Sequence, residues 1–206
     1  MATNETMYQI KVTLNGVKPP VWRRLLVPSS LSLKDLHKVL QVALGWTDSH
    51  LHGFTAKGRH YGIPDLEFGM GQINESRVRL DEVLSTEKDV MIYAYDFGDG
   101  WEHKIVLEKI SEQATEGAAP SCVAGARARP PEDCGGPWGY AELLKIIGDP
   151  VHPEHDERLE WLGDQFEPER FDLSEINSVL ARMKRRGPKA GSGATSSKRP
   201  APSRGR

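Results

Sequence analysis

The first periodic pattern along the chain is an alternation of apolar and polar residues that begins near Met7. Successive side chains of a strand point to opposite faces of a sheet, so this alternation predicts a strand with one buried face. Asn15-Gly16 and Pro19-Pro20 interrupt the pattern before a second apolar run that ends at Val27. These breaks are typical of turns, and they predict a strand, a turn and a second strand. The inward positions of the first strand are Tyr8, Ile10, Val12 and Leu14.

A helical period replaces the alternation after Pro28. Ser32 is a suitable N-cap, because its hydroxyl can accept a hydrogen bond from a free amide of the first turn. Gly45 is a suitable end, because glycine readily takes the left-handed conformation that follows many helices. The spacing therefore predicts a helix from Ser32 to about Leu44, whose apolar face contains Leu33, Leu36, Val39, Leu40 and Ala43.

Two further hairpins are predicted downstream. Residues 49–61 contain Lys57-Gly58 near a turn, and residues 89–110 contain Asp99-Gly100. Asp-Gly is favoured in two-residue type I′ turns, because both central positions need positive φ. Counting outward from that turn places Asp96 opposite His103, so a carboxylate and an imidazole are predicted to be cross-strand neighbours.

The C-terminal half predicts a loop followed by helices. Residues 120–140 contain too many Gly and Pro residues for regular structure, whereas helices are predicted at 140–147, 155–166 and 171–183. The complete pattern predicts an α+β domain, in which an antiparallel or mixed sheet of hairpins carries one covering helix and is followed by C-terminal helices. A β-grasp-like sheet is one arrangement that fits the first part.

Composition divides the chain into a body and a tail. The formal net charge is −2, yet residues 184–206 are rich in Lys and Arg and contain no acidic residue. Such a segment cannot bury enough apolar surface to offset its ordering entropy. The predicted organisation is a flexible N-terminus at 1–6, one domain at 7–183 and a disordered basic tail at 184–206. No run approaches the ~20 apolar residues of a membrane span and no signal peptide is evident, so we expect a cytoplasmic protein without a membrane partner.

The strongest candidate for chemistry is a set of three histidines and one carboxylate. His50 and His52 are two residues apart on a predicted strand, and Asp96 and His103 are paired in the predicted hairpin. If the two hairpins are adjacent, this set suits Zn²⁺ or another divalent transition metal. The alternative is structural, in which these side chains satisfy one another and nearby carbonyl groups.

A second candidate is the loop that contains Glu132, Asp133 and Cys134. These residues can complete a metal site, and Cys122 offers one more soft ligand. The spacing of the two cysteines lacks the paired C-x-x-C pattern of structural zinc sites, however. A loop whose shape is set by its prolines and glycines is the alternative interpretation.

Several separated segments resemble one known family, in the same order. The chain resembles the plasmid pRiA4b ORF-3-like family, whose members are also labelled transposon-passenger or resolvase-like "TnpR" proteins. The resemblance implies an α+β fold and a setting in plasmids or other mobile genetic elements, but it implies no defined activity. Its label does not imply recombination here, since helix capping explains the serines near the first helix. The matching segments are 8–28, 40–54, 61–65, 95–103 and 130–140.

Three functional hypotheses follow. The first is a non-catalytic binding or adaptor module with an unknown protein partner, and no catalytic residue is assigned. The second is a metal-binding domain or metal-dependent enzyme that uses His50, His52, Asp96 and His103. The third is nucleic-acid binding through residues 184–206, because a run of basic side chains releases counterions from phosphates.

Overall fold

The computed structural model describes residues 4–64, 71–115, 118–163 and 166–183. These residues form a mixed sheet of eight strands in the order β5-β4-β3-β6-β7-β1-β2-β8, in which only β4 and β5 are parallel. The α+β prediction is confirmed. The strands are β1 Asn4–Leu14, β2 Trp22–Pro28, β3 His52–Ala56, β4 Arg59–Gly62, β5 Ile73–Asn74, β6 Val90–Tyr95, β7 Trp101–Thr115 and β8 Ser121–Ala126.

Five α-helices accompany this sheet in the described ranges: α1 Leu33–Leu44, α2 Leu80–Val83, α3 Gly136–Gly148, α4 His155–Leu162 and α5 Leu173–Leu180. None of them has both the length and the apolar character that a membrane crossing requires. Strand β1 begins three residues before the predicted domain start at Met7. The predicted basic tail, 184–206, lies outside the described residues.

Helix α1 has the caps that its sequence predicts. The Ser32 side chain accepts a hydrogen bond from the Asp35 amide at 3.1 Å, which satisfies one free donor of the first turn. Gly45 has a φ of 94° and donates its amide to the Gln41 carbonyl, so the helix ends where a residue with a Cβ would be strained.

The core lies between α1 and one face of the sheet. Alternate residues of β1, β3, β6 and β7 are buried and form one apolar cluster with the inward face of α1. This cluster explains why the hairpin and helix periods of the sequence predict the architecture well. Its largest fully buried side chains are Trp101, Tyr93, Tyr95, Tyr140 and Phe54.

The predicted register of the β6–β7 hairpin is wrong. Tyr93 lies opposite His103 and Tyr95 lies opposite Trp101, so the connection runs from 96 to 100 and is longer than a two-residue turn. Asp96 accounts for the difference. It takes a φ of 54°, and its Oδ1 accepts hydrogen bonds from the amides of Gly98 at 3.0 Å and Asp99 at 3.3 Å. Short polar side chains stabilise wider turns in this way.

The loop prediction for 120–140 is also wrong at both ends, because residues 121–126 form β8 and α3 begins at Gly136. Strand β8 pairs with β2 on one side. On its other side, the Asn177 amide group replaces a neighbouring strand: its Oδ1 accepts from the Cys122 amide and its Nδ2 donates to the Cys122 carbonyl, each at 2.8 Å. This partner is distant in sequence, so no local pattern indicates it.

Candidate metal centre

Three loops meet at one end of the sheet and bring an imidazole close to three carboxylates. His50 precedes β3, Asp96 follows β6, and Glu132 and Asp133 precede α3. The Nε2 atom of His50 lies 3.7 Å from Asp96 Oδ2, 3.8 Å from Glu132 Oε2 and 3.4 Å from Asp133 Oδ1. The site therefore combines two of the four residues in the first predicted set with two of the three residues in the second.

Asp96 is fixed by the turn that it shapes. Its side chain is 8% exposed, and Oδ1 accepts the two amide bonds of the turn. Its backbone amide donates to the Leu51 carbonyl at 2.9 Å, which ties the turn to the segment that carries His50. Oδ2 remains directed toward the imidazole.

Glu132 is held by one oxygen and leaves the other without a partner. Oε1 accepts from the Thr47 amide at 3.0 Å, from the Thr47 hydroxyl at 2.8 Å and from the Tyr95 hydroxyl at 3.3 Å. Oε2 is buried and has no hydrogen-bond partner among the described residues. A buried carboxylate oxygen without a partner is costly, because it has lost its hydration.

The acidic loop is docked directly onto the β6–β7 turn. The Gly135 amide donates to Asp99 Oδ2 at 3.2 Å. At Gly136, where φ is 68°, a Cβ would lie only 2.3 Å from the Asp99 carbonyl oxygen, so any side chain would collide with backbone. Asp133 also has positive φ, at 56°, and its side chain is 74% exposed. The docking places Glu132 and Asp133 beside Asp96.

The spacing of these groups suits a coordinated cation better than hydrogen bonding. At 3.4 to 3.8 Å, the three contacts of His50 Nε2 exceed normal hydrogen-bond distances. Two ligands that each lie about 2.1 Å from a tetrahedral ion are about 3.4 Å apart. One ligand atom from each of His50, Asp96 and Asp133 lies within 4.8 Å of the other two.

His52 belongs to a different, buried polar network. Its ring stacks on that of His37 with a centroid distance of 3.4 Å and an interplanar angle of 4°, and its Nε2 contacts Glu75 Oε2 at 2.9 Å. His37 Nε2 contacts Asp48 Oδ1 at 2.8 Å. Burial lowers the pKa of His37, and the neighbouring His52 lowers it further.

The ring nitrogens of His37 and His52, together with Asp48, are also close enough to be considered as metal ligands. An imidazole lone pair lies in the plane of its ring, however, so two parallel stacked rings cannot both direct lone pairs at one ion. The hydrogen bonds of this network explain its histidines without a metal.

His103 lies in the core and does not reach the cluster. Its Nε2 accepts from Trp46 Nε1 at 3.2 Å and its Nδ1 is 3.2 Å from the Tyr93 carbonyl, an arrangement that requires the neutral ring with the proton on Nδ1. Burial lowers the pKa of His103 to about 4. The corrected register explains its position, since Tyr93, and not Asp96, is its cross-strand neighbour.

The two cysteine thiols are poor candidates for metal ligands, because their pKa values are raised. Burial and, to a smaller extent, the negative charge of Asp99 raise the pKa of Cys134 to about 12. Burial also raises the pKa of Cys122. Because the thiolate is the form that binds metal, the second predicted set contributes its carboxylates and not its thiols.

A sequence profile of the family described as Plasmid pRiA4b ORF-3-like protein matches residues 6–175. The chain belongs to this family. The family prediction is thus confirmed over most of the domain.

Two relatives of this family member are similar over nearly their full lengths. The uncharacterized protein y4hQ of Sinorhizobium fredii (strain NBRC 101917 / NGR234) is 42% identical over 178 residues, which cover 85% of this chain and 91% of the relative. The crystal structure of a protein of unknown function, MM3350 from Methanosarcina mazei Go1, is 38% identical, with a TM-score of 0.75 and coverage of 83% and 97%. These relatives support the fold and name no activity.

Other residues of the site are absent from the sequence-based sets. Thr47 and Tyr95 orient Glu132, and Asp99 anchors the acidic loop. All three residues lie in segments that carry the family resemblance. Membership of those segments is the one feature of the sequence that could have indicated them. Their roles depend on contacts between separated loops, which residue spacing does not show.

We predict that His103→Gln flattens the acid dependence of stability. The pKa of His103 is about 4 when folded and about 6.5 when unfolded, so the unfolded chain takes up the proton first and stability falls as the pH drops from about 6.5 toward 4. The full contribution is on the order of 3 kcal/mol. The measurement is the free energy of unfolding in denaturant across this pH range.

His60→Gln is the matched control, because His60 is exposed on β4. It should keep the pH slope of the wild type. An unchanged slope in His103→Gln would contradict the assignment.

Gly136→Ala should release the acidic loop, because its Cβ would overlap the Asp99 carbonyl oxygen. Gly100→Ala is the matched control: Gly100 also has positive φ, at 69°, but nothing lies within 4 Å of an added Cβ. Both variants incur roughly 1–2 kcal/mol of backbone strain, and only Gly136→Ala adds the collision. Hydrogen exchange of the Gly135 amide should accelerate in Gly136→Ala alone. Equal exchange in the two variants would show that the close approach is unimportant.

Proposed function

We propose that this protein is a binding module for one divalent transition-metal ion, held by His50, Asp96 and Asp133, with Glu132 as a further carboxylate beside His50. The observation that carries the proposal is the position of His50 Nε2, which faces three carboxylate oxygens at 3.4 to 3.8 Å. The unpartnered, buried Oε2 of Glu132 supports it, since a cation would replace the hydration that this oxygen has lost.

Hydrogen bonds within the protein orient two of the carboxylates. Asp96 and Glu132 each use one oxygen for hydrogen bonds to the protein and keep the other directed at the centre. Such outer contacts orient metal ligands and raise affinity, because less order is lost on binding. Three nearby carboxylates also repel one another. A bound divalent cation would attract all three and offset that repulsion.

The ligand atoms favour a transition metal such as Zn²⁺ over Mg²⁺ or Ca²⁺. One imidazole nitrogen with carboxylate oxygens is typical of zinc and its neighbours in the first transition series, whereas the two alkaline-earth ions prefer oxygen alone. The His50 side chain is 27% exposed and that of Asp133 is 74% exposed. The ion would therefore be accessible from one side, where a water or an external ligand can coordinate it.

The other two hypotheses keep the status of predictions. Nucleic-acid binding depends on residues 184–206, which lie outside the described residues. A setting in mobile elements rests on the family resemblance, and a protein partner stays a prediction.

Metal binding is tested with full-length protein that has been treated with chelator and then titrated with Zn²⁺ or Mn²⁺ in a calorimeter. We expect one ion per chain and a higher melting temperature with metal, since a ligand at 100 times its Kd stabilises the folded state by roughly 2.7 kcal/mol. His50→Ala should weaken binding at least about 100-fold, since the loss of outer contacts alone costs 10–100-fold. Glu132→Gln should weaken it while keeping the shape of the side chain.

Two histidine variants serve as controls. His60→Ala removes an exposed imidazole on β4 and should leave metal affinity unchanged. His52→Gln distinguishes the two histidine clusters: if it abolishes binding while His50→Ala does not, the ion belongs to the His37–His52 network. Absence of stoichiometric binding by every ion tested would refute the proposal.

A further inference from the structure

A cleft of about 460 Å³ lies between the C-terminal end of α1, the 128–132 segment and the helices α4 and α5. Its volume is within the usual range for small-molecule sites, roughly 300–1,000 Å³. Most of its wall is apolar and is formed by Val42, Leu44, Phe166, Phe171, Ile176 and Val179.

Arg23 lines this cleft as a buried cation without a carboxylate partner. The residue is 3% exposed. Its Nε donates to the Ala43 carbonyl at 2.8 Å, and its Nη1 donates to the carbonyls of Trp22 at 2.8 Å and Ala126 at 2.9 Å. No described residue accepts a hydrogen bond from Nη2. Burial lowers the pKa of Arg23 to about 10, so the guanidinium remains charged at neutral pH.

Arg129 lines the same cleft and has the same kind of partners. It donates to the carbonyls of Gly45 and Pro130, and its guanidinium carbon lies 5.0 Å from the centre of the Trp46 ring. No carboxylate in the described residues forms an ion pair with it. Burial lowers the pKa of Arg129, and attraction from Glu132 opposes that effect.

The remaining charged groups of the cleft do not neutralise these two arginines. Arg170 forms its own ion pair with Glu175 at 3.0 Å. Asp172 accepts hydrogen bonds from the amides at the start of α5. Glu167 is exposed, and Glu132 faces His50. Arg23 and Arg129 therefore present two guanidinium groups, without a carboxylate partner among the described residues, next to an apolar wall. Buried charge is unfavourable without a counter-charge, so this combination is complementary to an apolar anion.

We propose that the cleft binds a small organic acid, whose carboxylate pairs with Arg23 and Arg129 and whose apolar body packs against Phe171, Ile176 and Val179. Guanidinium groups suit this role because they present a planar fork of donors to a carboxylate. The observations that support this proposal are separate from those that support the metal centre, although Glu132 borders both sites.

The test uses chelator-treated, full-length protein and three probe acids, 4-phenylbutyrate, indole-3-acetate and hexanoate, each beside its neutral amide. Binding is measured by ligand-detected NMR. We expect at least one acid to bind at least 10-fold more tightly than its amide, because only the acid supplies the counter-charge. Arg129→Gln should remove this preference, whereas Arg59→Gln, an exposed arginine on β4, should keep it.

Val179→Trp provides a second variant that leaves both Arg23 and Arg129 in place. Val179 is 41% exposed and lines the cleft, so the larger ring should fill the site and reduce binding of acid and amide alike. Equal affinity for acids and amides, or no binding of any probe at 10 mM, would overturn the proposal. A concentration-dependent dimer that Val179→Trp dissociates would also overturn it, since a second copy would then occupy the cleft. Because metal is absent throughout, failure of the metal proposal would not alter these outcomes.

Discussion

The candidate metal centre depends on one backbone contact, the approach of Gly136 to the Asp99 carbonyl oxygen. An added Cβ would lie 2.3 Å from that oxygen, so the acidic loop and the β6–β7 turn touch without intervening side chains. The Gly135 amide bond to Asp99 fixes the same contact. Glu132 and Asp133 are distant from Asp96 in sequence and on a different element, so this contact, together with the bonds from Thr47 and Tyr95 to Glu132, places them beside it. The close approach explains why residues that do not bind an ion are as necessary to the site as those that can.

A buried polar network positions the remaining ligand. The Tyr93 hydroxyl contacts His37 Nδ1 at 2.9 Å and accepts from Gln41 Nε2 at 2.8 Å, while Gln41 Oε1 accepts from the Asp48 amide at 2.8 Å. These bonds join α1 and β6 to the loop that precedes β3. Breaking one would leave a buried polar group without a partner, which costs about 1–3 kcal/mol, so the loop is held firmly. His50 is two residues beyond Asp48, so its position is set by this loop and not by a strand face.

Short sequence patterns correctly predicted the structural features that depend only on neighbouring residues. The caps of α1 and the Lys57-Gly58 turn depend on neighbouring residues, and both are present. The Asp99-Gly100 signal failed because Asp96, three residues earlier, offers its carboxylate to the amides of the turn and widens it. That change of register removed His103 from the predicted site. The sequence also indicated all four residues of the candidate centre, but in two separate sets, since their convergence depends on contacts between distant loops.

The two proposed sites would bind ions of opposite charge, and they meet at Glu132. Its Oε1 accepts bonds from Thr47 and Tyr95, which turn the carboxylate toward His50 and away from a direct ion pair with Arg129. The metal centre consequently has excess negative charge, while the cleft keeps an uncompensated guanidinium. A cation at the centre would offset the attraction between Glu132 and Arg129, and the field in the cleft would become more favourable to an anion. By reciprocity, an anion in the cleft would strengthen metal binding by the same factor. Glu132 is thus the residue through which an ion bound at one site would change the binding affinity of the other.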